Sequence, residues 1–141
     1  MNETPLKMNA VAQVRLGRPT NQLGRVTRFY CDGLGLDLLL EFEKDQAGYG
    51  GAILGIPHTD YHLEFVTHEH DFSQERIKPP TKDHLLVFYL TDESDYDAIT
   101  ARLAEMGHFP VPALNPHWDL DGVTFEDPDG WRTVLMLNRN V

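Results

Sequence analysis

"LGRVTRFYCDGLGL", residues 23–36, reads as one short helix that runs into an abrupt stop. Leu23, Val26 and Tyr30 recur at the spacing of a single helix face, and Gly33 and Gly35 supply the break that ends it. The stretch decides the fold because the chain says it twice. Before it stand an apolar-rich strand, "AVAQVRL" (10–16), and a polar turn, "GRPTNQ" (17–22). Further on, "HLLVFYL" (84–90) precedes "TDESDYDAITARLAEMG" (91–107), where Tyr96, Ile99, Leu103 and Met106 again share a helix face. Ser94 is the expected N-cap of this second helix and Gly107 its stop.

Extended segments follow each helix. The first set is "DLLLEFEK", "GGAILGI" and "YHLEFVT"; the second is "FPVPA", "GVTFEDP" and "WRTVLMLN". Each set carries a proline in its last turn, Pro57 or Pro128, and "PDG" is a strong turn signal because Pro presets φ while Gly accepts a positive one. The expected architecture is α+β: two βαβββ modules pairing curved antiparallel or mixed sheets around a shared cleft. Residues 1–141 form a single domain, with module one at 10–72, an exposed linker at 73–83 rich in proline and charge, and module two at 84–140. A helix covers only one face of a sheet, so function is expected on the cleft side of the strands.

Composition narrows the partners. A net charge of −10 with 12 scattered basic residues argues against nucleic acid, whose phosphates require clustered Lys and Arg. No apolar run approaches the roughly 20 residues that span a bilayer, and the N-terminus lacks a signal layout. A single cysteine, Cys31, fits a reducing cytoplasm and reads as a structural thiol at the helix end. The expected partners are a small molecule and a second copy of the chain in a homodimer, with no nucleic acid and no membrane. No Ser-His-Asp arrangement, phosphate loop or dinucleotide fingerprint is present.

Strand alternation selects the candidate site. In "YHLEFVTHEH" (61–70), His62 and Glu64 share one face, and Leu63 and Phe65 the other. His84, Leu86 and Phe88 share a face of the next strand, and Arg132, Val134 and Met136 share a face of the last. If these are the cleft faces, Arg15, His62, Glu64, His84 and Arg132 meet beside apolar residues, the usual make-up of a small-molecule site. Trp118, in the polar turn "NPHWDLDG" (115–122), reads either as a lid over the cleft or as an anchor for its loop. His68 and His70 fall at the wet end of the strand, since "HEHDF" places Phe72 where a zinc motif needs its second His. Glu64 and Arg15 are also complementary, and a structural ion pair is the alternative to any catalytic role.

"RFYCDGLGL", "YHLEF", "DHLLVFY" and "TFEDPDGWRTVLM", in this order, resemble the vicinal oxygen chelate superfamily: glyoxalase I, extradiol dioxygenases and bleomycin-resistance-type binding proteins. The resemblance spans nearly the whole chain and implies the paired-module fold. In catalytic members a divalent ion is held by four strand positions, which fall here on Arg15, Glu64, His84 and Val134, with Gln13 the alternative first position. Arg cannot give up its proton and Val has no donor atom, so Glu64 and His84 alone keep ligand chemistry. The resemblance therefore implies one of two functions. One is a ligand-binding protein of the drug-resistance type without metal, its acidic surface favouring a cationic molecule. The other is a glyoxalase-like lyase or isomerase, or a dioxygenase, in which Glu64 and His84 are catalytic and hold Ni, Zn, Mn or Fe. Arg15, His62, Phe88, Trp118 and Arg132 are the expected ligand-binding residues.

Overall fold

A computed structural model describes residues 10–138. Module one runs β1 (Val14–Pro19), α1 (Leu23–Thr27), β2 (Asp37–Phe42), β3 (Tyr49–Gly55) and β4 (Tyr61–His68). Helix α1 continues into a π-helical turn over Arg28–Gly33. The wider turn lets two adjacent aromatics, Phe29 and Tyr30, both reach full burial, with their rings edge to face at 5.0 Å. Module two runs β5 (Leu85–Leu90), α3 (Glu93–Glu105), a 3₁₀ turn (Pro116–Asp119), β6 (Gly122–Glu126) and β7 (Arg132–Leu137).

The two sheets have matching topology. The first is ordered β1-β4-β3-β2 and the second β5-β7-β6, with the pairs β1–β4 and β5–β7 parallel and the others antiparallel. Module two is one strand poorer. "FPVPA" contributes only an isolated bridge, Val111 to Thr124, because Pro110 and Pro112 have no N–H to give a ladder. The start of α3 also differs from expectation: Asp92 is the N-cap, and the backbone N–H of Ser94 donates to its Oδ1 at 2.8 Å. Gly107, at φ 90°, takes the left-handed position that stops the helix.

One core joins both modules. Val26, Phe29, Tyr30, Leu54, Leu63 and Phe65 from module one pack with Leu103, Phe125 and Leu135 from module two. Polar groups lock the same seam. Arg18, at the end of β1, donates through Nη2 to Oδ2 of Asp127 at 2.5 Å, and Tyr30 Oη donates to the same oxygen at 2.6 Å. The other oxygen, Oδ1, accepts from the backbone of Asp129 and Trp131. The Arg18 guanidinium lies over the rings of Phe65 and Trp131, at 4.9 and 4.6 Å. The "DPDG" turn thus bolts module two onto β1 of module one.

The 73–83 segment, expected as an exposed linker, is exposed at most positions and anchored at Ile77. It carries the short helix α2 (Gln74–Ile77), whose Ile77 is buried and whose Ile77 carbonyl accepts from Trp131 Nε1 at 2.7 Å. Just before it, Asn21 and the Phe72 backbone exchange two hydrogen bonds.

Burial, reinforced by the Asp127 carboxylate, pushes the Tyr30 hydroxyl well above the usual phenol range. An acid whose folded pKa is raised keeps its contribution below its unfolded value, near 10, and loses it as pH climbs toward the folded value. Stability should therefore fall above about pH 10, by about 1.4 kcal/mol for each pH unit until Tyr30 ionises in the fold. Urea titrations of wild type and Tyr30→Phe at successive pH values check this: the variant should lose that part of the alkaline slope.

Candidate functional site

On the first sheet, alternation holds. Leu63 and Phe65 turn into the core, which places His62 and Glu64 on the opposite face. Arg15 and Glu64 are joined there as an ion pair, Nη1 to Oε1 at 3.2 Å, and Arg15 Nη2 donates to Gln13 at 2.8 Å. The pair is partly solvated, so its contribution to stability is at most about 1 kcal/mol.

The second sheet separates residues that were expected together. The parallel register aligns Leu85 with Arg132, Val87 with Val134 and Tyr89 with Met136. Leu86 and Phe88 therefore lie on the other face, beside Thr133 and Leu135, and pack against the core. His84, immediately before β5, is exposed, and its Nδ1 is 2.9 Å from Thr81 Oγ1. The face of Arg132, Val134 and Met136 is itself closed off. Val134 is fully buried, Arg132 Nη1 donates to the Pro112 carbonyl at 3.0 Å, and the Trp118 carbonyl lies 2.6 Å from a Cβ placed on Gly122, the partner of Met136. The 112–118 segment thus crosses over this face as a plug. Trp118 is half-buried within it, its ring edge-on to His117.

Two cavities flank β5. The larger, about 260 Å³, lies between the modules and is lined by Leu36, Leu54 and Tyr61–Leu63 on one side and Leu86–Leu90 on the other. Its walls are almost wholly apolar. His62 and the hydroxyls of Tyr61 and Tyr89 are the exceptions, and His62 Nδ1 is buried with no hydrogen-bond partner. Gly55 makes room for the ring: a Cβ there would come within 2.7 Å of His62 Cδ2. The smaller cavity, about 160 Å³, is lined by Leu16, Arg18, His84, Leu85, Leu86, Trp131 and Arg132. Of the expected site residues, the structure places His62 and Phe88 around the first cavity and His84 and Arg132 around the second. Arg15 and Glu64 face each other on the first sheet, and Trp118 belongs to the plug.

The polar run after Glu64 serves structure. His68 Nε2 lies 2.9 Å from the Ala47 carbonyl, and the His70 N–H donates to His68 Nδ1 at 3.1 Å. Both ring nitrogens are therefore within hydrogen-bonding distance of backbone groups. The ring also packs edge-on against Tyr49 at 4.6 Å. Cys31 is a poor nucleophile, since burial, with Asp32 and Asp37 nearby, pushes its thiol up to about 11.

The residues do not fit a divalent ion. A guanidinium occupies the first ligand position and hydrogen-bonds the carboxylate of the second, and the fourth is a fully buried valine under the plug. The third, His84, is exposed and lines a cavity that contains no carboxylate or second histidine to join it as a ligand. Among the described residues no group of three or more His, Cys, Asp or Glu side chains is placed to hold a metal. No helix among them is long and apolar enough to cross a membrane.

Comparison with known proteins agrees with this architecture. Residues 14–66 match the family described as the YycE-like N-terminal domain, and residues 83–137 match the YycE-like C-terminal domain. The chain is 45% identical to the uncharacterised protein YycE of Bacillus subtilis over 130 residues, 92% of this chain and 91% of that one. A crystal structure of a YycE protein of unknown function from Bacillus subtilis, provisionally a glyoxalase/fosfomycin resistance protein, superposes with a TM-score of 0.82 at 45% identity, covering 93% of each chain. The trypanothione-dependent glyoxalase I of Leishmania major shares the fold at 17% identity, with a TM-score of 0.68 over 87% of this chain and 84% of that one. TnmS3, an antibiotic binding protein from a Streptomyces species, does so at 24% identity, with a TM-score of 0.58 over 87% and 92%. The paired modules, their strand order and these matches together make the chain a member of the YycE-like family, built on the glyoxalase-type vicinal oxygen chelate fold.

Proposed function

We propose that this protein binds a small, largely apolar organic molecule between its modules, without a metal, in the manner of the resistance-type and antibiotic-binding proteins that share its fold. The observation that carries the reading is the inter-module cavity, whose lining is apolar apart from His62 and the hydroxyls of Tyr61 and Tyr89. His62 is the lining residue that can exchange a hydrogen bond with a ligand's polar group, a net gain of about 1 kcal/mol. Burial of the ligand body against Leu86, Phe88 and Leu90 supplies the rest of the affinity. The net charge of −10 favours a cationic molecule at the approach, while the walls select its apolar part.

The same reading includes a homodimer. Val14, Leu16, Leu40 and Tyr89 leave exposed apolar area on the strands, and a second copy is the partner proposed to cover it.

A thermal-shift screen of aromatic and cationic small molecules, run beside sedimentation, tests both parts. The expected result is a ligand that raises the melting temperature of wild type and binds about tenfold more weakly to His62→Phe. Added Ni, Zn, Mn or Fe should leave the melting temperature unchanged. Retention of about one tightly bound ion per chain after purification would overturn the metal-free reading in favour of a metal-dependent enzyme.

A further inference from the structure

We infer that the smaller cavity, beside β5 at the seam of the modules, is a binding site for a small oxyanion, an inorganic phosphate or sulfate or a ligand's carboxylate. The inference goes beyond the apolar cavity described above, with which it shares only the wall residue Leu86. Two arginines line it, and both are more than nine-tenths buried, Arg18 at 9% and Arg132 at 7% exposure. Neither is satisfied. Arg18 spends Nη2 on Asp127, and Arg132 spends Nη1 on the Pro112 carbonyl. The Nε of each is buried and hydrogen-bonds nothing.

The charges around the cavity favour an anion. Its lining contains two arginines, one histidine and no carboxylate. Asp127 neutralises Arg18 from behind, at the bolt between the modules. Glu126, 41% exposed, forms a loose ion pair with Arg132, its carboxylate 3.6 Å from Nε and too far for a hydrogen bond. A guanidinium offers five donors in a planar fork, so two such groups with unspent N–H present a ready cradle for tetrahedral or planar oxygens. Trp131, Leu85 and Leu86 form partly buried apolar walls around the charged groups, and Leu16 forms an exposed one. His84 adds a ring nitrogen, since only its Nδ1 is engaged, with Thr81. The volume of about 160 Å³ accommodates roughly five waters' worth of ligand, enough for one oxyanion and little more.

Inorganic phosphate and acetate, titrated separately against the full chain at constant ionic strength with chloride as the balancing salt, test the site. The readout is the arginine Nε–H and tryptophan indole resonances. The expected result is a saturable shift of the Arg18, Arg132 and Trp131 signals by at least one probe, half-complete below about 10 mM. Phosphate alone would mark a site for tetrahedral anions, and acetate alone a carboxylate site. Arg132→Gln should abolish the shift, and His84→Asn should weaken binding about threefold or more. Should Arg132→Gln fail to fold, His84→Asn decides, because that side chain is exposed and its loss leaves the core intact. The absence of a saturable response to either probe, or an unchanged affinity in His84→Asn or in a folded Arg132→Gln, overturns the inference.

Discussion

Asp127→Ala should lower the melting temperature by about 8–15 °C, the equivalent of about 3–5 kcal/mol in a chain of this length. The size follows from what the carboxylate does. It is fully buried, balances the charge of Arg18 and accepts from Tyr30 and from two backbone N–H groups of its own turn. Its removal strands a buried guanidinium and several donors at once. Asp127→Asn should cost nearly as much, because the shape survives and the charge does not. Replacing both partners, Arg18→Met with Asp127→Leu, should recover part of the loss, since a buried pair costs desolvation that two apolar side chains avoid. Arg15→Ala is the contrast, on the same strand three residues away. Its pair with Glu64 is partly solvated, and a loss within about 1 kcal/mol is expected. Urea denaturation of the five proteins checks the ranking, and equal losses at Arg15 and Asp127 would contradict the placement of the bolt.

Leu103→Ala should cost about 2–5 kcal/mol and loosen both modules together. Leu103 is fully buried and enters a notch that Gly33 creates in the π-helical turn, where a Cβ would sit 2.6 Å from Leu103 Cδ2. Beside it Arg102 Nε donates to the Gly33 carbonyl at 2.9 Å, so α3 and the first helix are held by one apolar and one polar contact. Gly33→Ala alone should overpack the notch, at about 1–3 kcal/mol. In the double variant the new methyl group occupies space that the shortened side chain vacates. The two losses should then sum to more than the double variant shows, a coupling that a double-mutant cycle reads directly. Additive losses would mean that the contact does not join the modules.

These two junctions were unequally legible in the sequence. The repeat of strand, helix and glycine stop is local chemistry, and Gly35 and Gly107 do take the left-handed backbone that such stops require. Alternation in "YHLEF" likewise separates Leu63 and Phe65 from His62 and Glu64 without further information. Arg18 was hidden because "GRPTNQ" has the composition of a solvated turn, and its partner lies in "EDPDG", whose Pro and Gly already account for a turn. Only the fold brings them within hydrogen-bonding distance. The faces of module two were misjoined for a related reason. Alternation fixes which residues share a face within one strand, but not which faces of neighbouring strands coincide. The register of Leu85 with Arg132 decides that, and it separates Phe88 from Arg132. The His84–Arg132 cavity forms at strand ends, where that alternation no longer sorts side chains.

The isolated bridge at Val111 has a consequence for solubility. A strand at the rim of a sheet exposes unpaired N–H and C=O groups and invites strands from other molecules. On β6 that rim meets a segment in which Pro110 and Pro112 flank the single bridging residue. The second sheet therefore ends in a backbone that cannot propagate pairing outward, and runaway strand addition is blocked there. Exchanging both prolines for valine would lengthen the sheet by a strand and hand the protein an adhesive rim, visible as concentration-dependent aggregation of a chain whose interior is unchanged.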